Sequence, residues 1–142
     1  MVVVAVVSGT TDPERVVLAA ARQADERETR VHALYVYGLG WVANRELAIG
    51  ERVGIPTGIE TIRTVAERNA ERVADPILDE YEVAAVVGEP IEEIVDYAQE
   101  VDADCVVLAA GANWGASVSR LYRSPVEQLR ERDPEFDVVP VY

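Results

Sequence analysis

The hydrophobic positions of the chain fall into short runs that are rich in β-branched residues and are bounded by polar or glycine-containing segments. Uninterrupted apolar runs of this kind are typical of strands buried on both faces, as in a parallel sheet. The pattern predicts strands over Val2 to Val7, Arg30 to Tyr37, Tyr81 to Val87, Cys105 to Ala110 and Phe136 to Val141.

Between these runs, apolar residues recur at the spacing of a helix face. The pattern predicts helices from Pro13, over Ile59 to Ala74, over Ile91 to Glu100 and from Pro125, with a further short helix over Val42 to Ala48. Strands and helices that alternate along a chain form an α/β fold with a mostly parallel sheet. We therefore expect a single domain over residues 1–142, with a doubly wound, Rossmann-like sheet.

Two of the helix starts are well marked. Asp12 is placed to act as an N-cap before Pro13. Ser124 precedes Pro125 and is followed three positions later by Glu127, which is the pattern of a capping box.

Composition limits the class of protein. The 142 residues are 49% apolar and 27% charged, which excludes a disordered chain, a collagen-like repeat and a disulfide framework. The lone cysteine, Cys105, lies inside an apolar run. No apolar stretch reaches the roughly 18 to 20 residues that span a bilayer, and the first residues lack the basic start of a signal peptide. We expect a soluble, cytoplasmic protein with no membrane association.

The charge is strongly unbalanced. There are 26 acidic and 13 basic residues, giving a net charge of -13. All the basic residues are arginine, and no basic patch is visible. A polyanion of this kind repels nucleic acid, so we expect no nucleic-acid partner. Acidic, lysine-free chains resemble the proteins of salt-loving archaea, and a halophilic host is therefore our hypothesis; an ordinary acidic surface is the alternative.

A ligand-binding crevice is predicted at the carboxyl ends of the strands. Ligands of doubly wound sheets lie where the strand order reverses. If the order is 3-2-1-4-5, the loops Ser8 to Thr11 and Gly111 to Ser117 face each other there, and the helix that starts at Ser124 directs free N–H groups toward an anion. Trp114, in the second loop, has three interpretations: a lid over the pocket, a filler of it, or an anchor for a subunit contact.

The carboxyl-terminal half carries a resemblance to a known family. Residues 88–94, Gly-Glu-Pro-Ile-Glu-Glu-Ile, are followed by residues 103–108, Ala-Asp-Cys-Val-Val-Leu, by a glycine-bearing loop, and by Ser124 with Glu127. In this order the segments resemble the universal stress protein family, and the first and last predicted strands match it too. The resemblance implies strand order 3-2-1-4-5, a homodimer paired through Phe136 to Val141, and, in one subgroup, ATP binding without robust turnover.

The glycine motif of that ATP-binding subgroup is degenerate in this chain. When the motif is aligned by counting back from Ser124, each of its glycine positions holds another residue type in this chain; the last of these positions is Arg123. Gly111 and Gly115 replace them in part, because a phosphate needs close backbone approach and free N–H groups. The adenine-contacting aspartate of the family aligns with Val7. We therefore expect a dimeric stress-response binding module with weak or lost nucleotide binding; a fully ATP-binding member is the alternative.

The candidate nucleotide-contacting residues are Ser8, Gly9, Thr10, Gly111, Asn113, Gly115, Arg123 and Ser124. The candidate cofactors are ATP and AMP.

An enzyme is the less favoured interpretation. The loop from Ser8 to Pro13 is similar to the Ser-Gly-Gly-x-Asp-Ser loop of ATP pyrophosphatases, but Thr10 replaces its second glycine and Pro13 its closing serine. Proline offers a pyrophosphate neither a hydroxyl nor an N–H. His32, the sole histidine, has no Cys or His partner in its strand, so we expect no metal site and no catalytic residue.

Overall fold

A computed structural model describes residues 1–38, 58–114, 124–132 and 134–142. The elements in chain order are β1 (Val2–Val6), α1 (Pro13–Arg27), β2 (Arg30–Gly38), α2 (Ile59–Ala74), β3 (Tyr81–Gly88), α3 (Pro90–Glu100), β4 (Ala103–Ala109), α4 (Pro125–Glu131) and β5 (Asp137–Val141). The predicted short helix over Val42 to Ala48 lies outside the described residues.

The strands form one parallel sheet in the order β3-β2-β1-β4-β5, which confirms the predicted fold. β1 is at the centre, and all its residues are buried. Val3 pairs with Val31 on β2 and with Cys105 on β4. The order reverses at β1, because the chain moves outward to β2 and β3 on one side and returns to β4 and β5 on the other. The carboxyl ends of β1 and β4 therefore border the crevice expected of such a sheet.

Each face of the sheet carries its own hydrophobic layer. Val4 and Val6 point to the layer beneath α3 and α4, where Leu34, Ile94 and Leu129 are completely buried. Burial of one such side chain stabilises the fold by about 1.5 to 3 kcal/mol. The apolar run of β1 therefore supplies two layers at once, because alternate strand residues point to opposite faces.

The opposite layer lies beneath α1 and α2. It contains Val3 and Ala5 from β1, with Val16, Val17 and Ala20 from α1. The side chains here are small, so the helices can lie close to the strands.

The two marked helices start at Pro13 and Pro125 as predicted, but their N-cap side chains behave differently. The Ser124 hydroxyl accepts a hydrogen bond from the Glu127 N–H at 3.2 Å, as predicted for a cap. Asp12 occupies the N-cap position of α1, but its side chain makes no capping bond. Its own N–H donates to Oγ1 of Thr10 at 3.1 Å, and its carboxylate lies 4.0 Å from Arg15. Asp12 therefore holds the predicted N-cap position, but its carboxylate lies near the guanidinium and makes no bond to the helix N–H groups.

Several strand limits differ slightly from the prediction. β4 begins at Ala103 rather than Cys105, and β5 begins at Asp137 rather than Phe136. The Phe136 side chain is buried against the layer beneath α3 and α4, so it serves the core just before the strand starts. Among the described residues, no helix is long and apolar enough to cross a membrane.

Candidate ligand-binding site

The loops that follow β1 and β4 meet at the carboxyl edge of the sheet. The backbone N–H of Asn113 donates to the carbonyl of Gly9 at 2.8 Å, and this bond joins the two loops directly. Next to it, the Ala110 N–H donates to the carbonyl of Val141 at 2.8 Å, which brings the end of β5 to the same edge. The two segments expected to border a crevice therefore lie together.

A cleft of about 690 Å³ opens at this edge. It is bounded by the turn after β1, the first turn of α1, and the ends of β4 and β5. Its lining residues are Gly9, Thr10, Thr11, Asp12, Arg15, Val16, Ala109, Gly111, Asn113, Val141 and Tyr142. The volume lies within the range of about 300 to 1,000 Å³ that is typical of small-molecule sites.

The cleft holds one positive and one negative side chain among its described residues. These are Arg15 and Asp12, with 4.0 Å between the guanidinium and the carboxylate. Both side chains are more than half exposed, so the pair contributes little to stability. The start of α1 adds positive potential, because its first N–H groups have no partner within the helix and Asp12 does not cap them. Arg15 and these N–H groups are the donors that this wall offers to an anionic group, beside the acids Asp12 and Glu14 at the same helix start.

Ser8 lies beneath the cleft rather than in it. The residue is buried, and its hydroxyl donates to the carbonyl of Val36 at 2.8 Å while accepting from the Val36 N–H at 2.8 Å. It also accepts from the indole N–H of Trp114 at 3.0 Å. A hydroxyl has one donor and two acceptor positions, so all three are in use.

Trp114 fills the space between the ends of β1 and β2. A Cβ built on Gly9 would lie 2.7 Å from Cε2 of the indole, and one built on Gly38 would lie 2.7 Å from Cβ of Trp114. The ring is partly buried and packs against the hydrophobic layer beneath α3 and α4. Of the three interpretations of Trp114, the geometry favours a filler.

Comparison with known proteins identifies the family. The family model of the universal stress proteins matches residues 1–120. The chain belongs to the universal stress protein family. No curated protein matches the chain.

Solved structures of universal stress proteins share the fold. One, in complex with cAMP, is 22% identical with a TM-score of 0.65, covering 100% of this chain and 97% of its own. Two are from Archaeoglobus fulgidus. One is 23% identical with a TM-score of 0.58, and the match covers 99% of this chain and 97% of the other. The second, in complex with dAMP, is 22% identical with a TM-score of 0.59, and the match covers 99% of this chain and 96% of the other. At these identities the likeness establishes the fold alone.

The predicted contact residues of this universal stress protein are only partly brought together. Gly9, Thr10, Gly111 and Asn113 line the cleft. Ser124 is not among the lining residues, and its hydroxyl caps α4. Gly115 and Arg123 lie outside the described residues.

Sequence reasoning missed Arg15 and Tyr142, which also line the cleft. Arg15 follows the Ser-Gly turn within the first helical turn, a position that reaches the carboxyl edge of the sheet in this fold. That spacing was a usable signal. Tyr142 follows the last strand, and only the pairing of β5 with β4 places it here.

The remaining candidate residues lie away from the cleft. Val7, which aligns with the family's aspartate, is 3% exposed and belongs to the layer beneath α1 and α2. His32, near the amino end of β2, is buried with Nδ1 2.9 Å from the Tyr97 hydroxyl and Nε2 3.4 Å from the Glu82 carboxylate. Burial lowers the pKa of His32 and raises that of Tyr97 to about 12. Within the described parts of the chain, no group of His, Cys, Asp and Glu could hold a metal ion.

Proposed function

We propose that this universal stress protein is a binding module that takes an adenine nucleotide weakly in the cleft and does not turn it over. The observation that carries the proposal is the cleft of about 690 Å³ at the point where the strand order reverses, with Arg15 and the uncapped start of α1 on one wall. Relatives with the same fold have been solved in complex with cAMP and with dAMP. Both ligands combine a base with a phosphate.

The polar groups of the cleft suit the phosphate better than the base. Backbone N–H groups at a helix start bind anions without help from a side chain. A Cβ built on Gly111 would meet nothing within 4 Å, so the opposite wall is open to a ligand. The base would lose a hydrogen bond, because Val7 stands where the family has an adenine-contacting aspartate. The Val7 side chain is also buried and does not reach the cleft. A lost hydrogen bond to a charged group weakens binding by about 1.5 to 3 kcal/mol, or roughly tenfold to 150-fold.

The lining residues support binding rather than catalysis. Among the described residues of the cleft, Asp12 is the one acid, and none is His or Cys. The Asp12 carboxylate lies 4.0 Å from the Arg15 guanidinium and is paired with it. No lining pair in this part of the chain matches a nucleophile with a general base.

Titration calorimetry tests the proposal. We expect saturable heat with AMP, and with ATP and Mg²⁺, at a dissociation constant of about 0.1 to 1 mM in molar KCl. R15Q should weaken binding by about fivefold at roughly 0.1 M KCl and by less in molar KCl, since a charged partner at an exposed site contributes up to about 1 kcal/mol and is screened by salt. R63Q is the matched control, because Arg63 also pairs with an acid three residues earlier on a helix but does not line the cleft.

The outcomes separate the candidate functions. The absence of heat with either nucleotide contradicts nucleotide binding. Equal dissociation constants for R15Q and R63Q contradict the assignment of Arg15 to the wall that contacts the ligand. Binding at low micromolar concentration favours the alternative of a fully ATP-binding member. Release of AMP and pyrophosphate from ATP contradicts the non-catalytic assignment and favours the ATP pyrophosphatase class.

We also propose that the protein is a homodimer joined along β5. β5 is an edge strand whose residues after Asp137 are partly exposed in the isolated chain. Pro140 has no N–H, and the carbonyl of Val138 accepts from Arg130 at 3.2 Å, so this edge has few groups left for a hydrogen-bonded ladder. We therefore expect side-chain packing to join the subunits. Light scattering in molar KCl should give twice the monomer mass; the monomer mass contradicts the proposal.

A further inference from the structure

β3 is one of the two outer strands of the sheet, and one side of its backbone is open. It pairs with β2 along all eight of its residues and with no other strand of the sheet. Among the described residues, no loop, turn or helix end makes a backbone hydrogen bond to it. Every residue from Tyr81 to Val87 is at least partly exposed. We call the outer backbone of Tyr81 to Gly88 the β3 edge. Alternate residues of a parallel strand direct their N–H and C=O away from the paired neighbour, so about half of these groups are available to another chain.

The β3 edge lacks the features that usually keep an outer strand from pairing with another chain. Such strands are commonly protected by proline, by several charges or by a bulge. β3 has no proline, a single charged residue, Glu82, and a continuous register with β2. β5, the other outer strand, contains Pro140, and the carbonyl of Val138 accepts from Arg130. β3 is therefore the better of the two outer strands for the addition of a further strand.

The side chains of β3 are small, and they alternate between the two faces of the sheet. Ala84 and Val86 pack against the layer beneath α3 and α4, and Val83 packs against the layer beneath α1 and α2. A strand added to the β3 edge would continue both layers, with its own side chains alternating between the α3 face and the α2 face. On the α2 face its neighbours on β3 are apolar, so small apolar side chains fit there.

The α3 face beside the β3 edge is acidic. The Glu93 carboxylate lies over the end of β3, because a Cβ built on Gly88 would be 2.6 Å from its Oε1. α3 has no basic residue, and its acids are Glu92, Glu93, Asp96 and Glu100. Burial, and then the charges of Asp96 and Glu92, raise the pKa of Glu93, although Arg63 on α2 opposes the rise. A cationic side chain placed here would stabilise the carboxylates.

We propose that the β3 edge is a docking site for an extended, basic segment of another polypeptide, which adds to the sheet as a sixth strand. The backbone of the segment bonds to the outward N–H and C=O groups of β3. Its arginine or lysine side chains on one face lie beside the carboxylates of α3, which select a basic partner. A second copy of this chain is a poorer occupant, because it brings another acidic α3 and a further net charge of -13 to the same edge. The β3 edge lies on the opposite side of the sheet from β5, so docking and the proposed dimer are compatible.

The probe is a fluorescently labelled peptide of the same length as β3, in which arginine and valine alternate. We expect it to bind the full chain with a dissociation constant of about 10 to 100 µM at roughly 0.15 M KCl, measured by fluorescence anisotropy. A control peptide of the same sequence carries a methyl group on every backbone amide. It keeps the positive charges but has no N–H to donate, so it should bind at least about tenfold more weakly.

Two double variants test the acidic face. E93Q with D96N removes two charges beside the β3 edge, and it should weaken peptide binding about fivefold. D25N with E26Q is the matched control, because it also removes one aspartate and one glutamate charge. These two residues are exposed on α1, which packs against β1, β2 and β4. The control should change the dissociation constant by less than about twofold, since distant charges are screened at this salt concentration.

Hydrogen exchange locates the bound peptide on the sheet. An added strand bonds to amides that otherwise face water, so saturation with the peptide should slow exchange in β3 by at least about tenfold. Exchange in β5 should stay unchanged.

Binding that needs the peptide N–H groups, is weakened by E93Q with D96N and protects β3 supports the proposal. Absence of binding at about 1 mM peptide overturns it. Equal binding of the methylated peptide, equal effects of the two double variants, or protection of β5 instead of β3 also overturns it. If β3 is protected in the protein alone and light scattering gives a mass above that of a dimer, the occupant is a second copy and the basic partner is wrong. None of these measurements uses a nucleotide, so failure of AMP to bind contradicts only the function proposed above.

Discussion

Replacement of Gly9 by alanine tests the packing at the centre of the site, because two separable costs are expected there. Gly9 has φ +74°, in the left-handed region, where a side chain costs about 1 to 2 kcal/mol. The added Cβ would also lie 2.7 Å from the indole of Trp114, and overpacking of this kind costs about 1 to 3 kcal/mol. We therefore expect G9A to lower the free energy of unfolding by about 2 to 5 kcal/mol.

Gly58 provides the matched control. Its φ is +78°, close to that of Gly9, but a Cβ built on it would meet nothing within 4 Å. G58A should therefore cost only the backbone strain of about 1 to 2 kcal/mol. Gly58 is also the N-cap of α2, a position that disfavours alanine, so the comparison understates the part due to Trp114.

Urea denaturation at constant molar salt measures these costs, and a double-mutant cycle isolates the contact. In a W114A background the overlap is absent, so G9A should then cost only the backbone strain of about 1 to 2 kcal/mol. The difference between the cost of G9A in the native background and in W114A should be about 1 to 3 kcal/mol. If the cycle shows no coupling between G9A and W114A, Trp114 does not pack on Gly9.

Three further predictions concern the rest of the molecule. Burial lowers the pKa of His32, so the unfolded chain binds more protons than the folded chain just below pH 6.5. The free energy of unfolding should therefore fall as the pH drops through that range. If H32Q shows the same slope of this free energy against pH as the native protein, the prediction is contradicted. Burial raises the pKa of the Cys105 thiol to about 11, and its side chain is inaccessible. The native thiol should therefore react with a disulfide reagent at least about 100-fold more slowly than the thiol of the urea-unfolded chain. Similar rates would refute its burial. With a net charge of -13, the melting temperature should rise between about 0.1 M and about 2 M KCl as repulsion is screened, whereas a flat response favours an ordinary acidic surface over a halophilic host.

The candidate site was only half predictable because it joins segments that are distant along the chain. The turn after β1 and the loop after β4 could be named from glycine and strand ends alone. Arg15 was missed although its place in the first helical turn after the Ser-Gly turn was a usable signal, whereas Tyr142 has no local pattern that marks a ligand wall. Ser8 was expected in the site, but its hydroxyl is used by Val36 and Trp114, partners 28 and 106 positions away.

The strands and the helix starts were determined by the sequence, because their causes are local. β-Branched runs such as Val2–Val6 favour extended backbone and need burial on both faces, and Ser124 with Pro125 sets a helix start within one turn. The position of Trp114 was decided only by tertiary structure. The local sequence allowed a lid, a filler or a subunit anchor, and the choice depends on two glycines from other strands that leave room for one aromatic ring. Packing space is a property of the assembled sheet, and no single segment contains it.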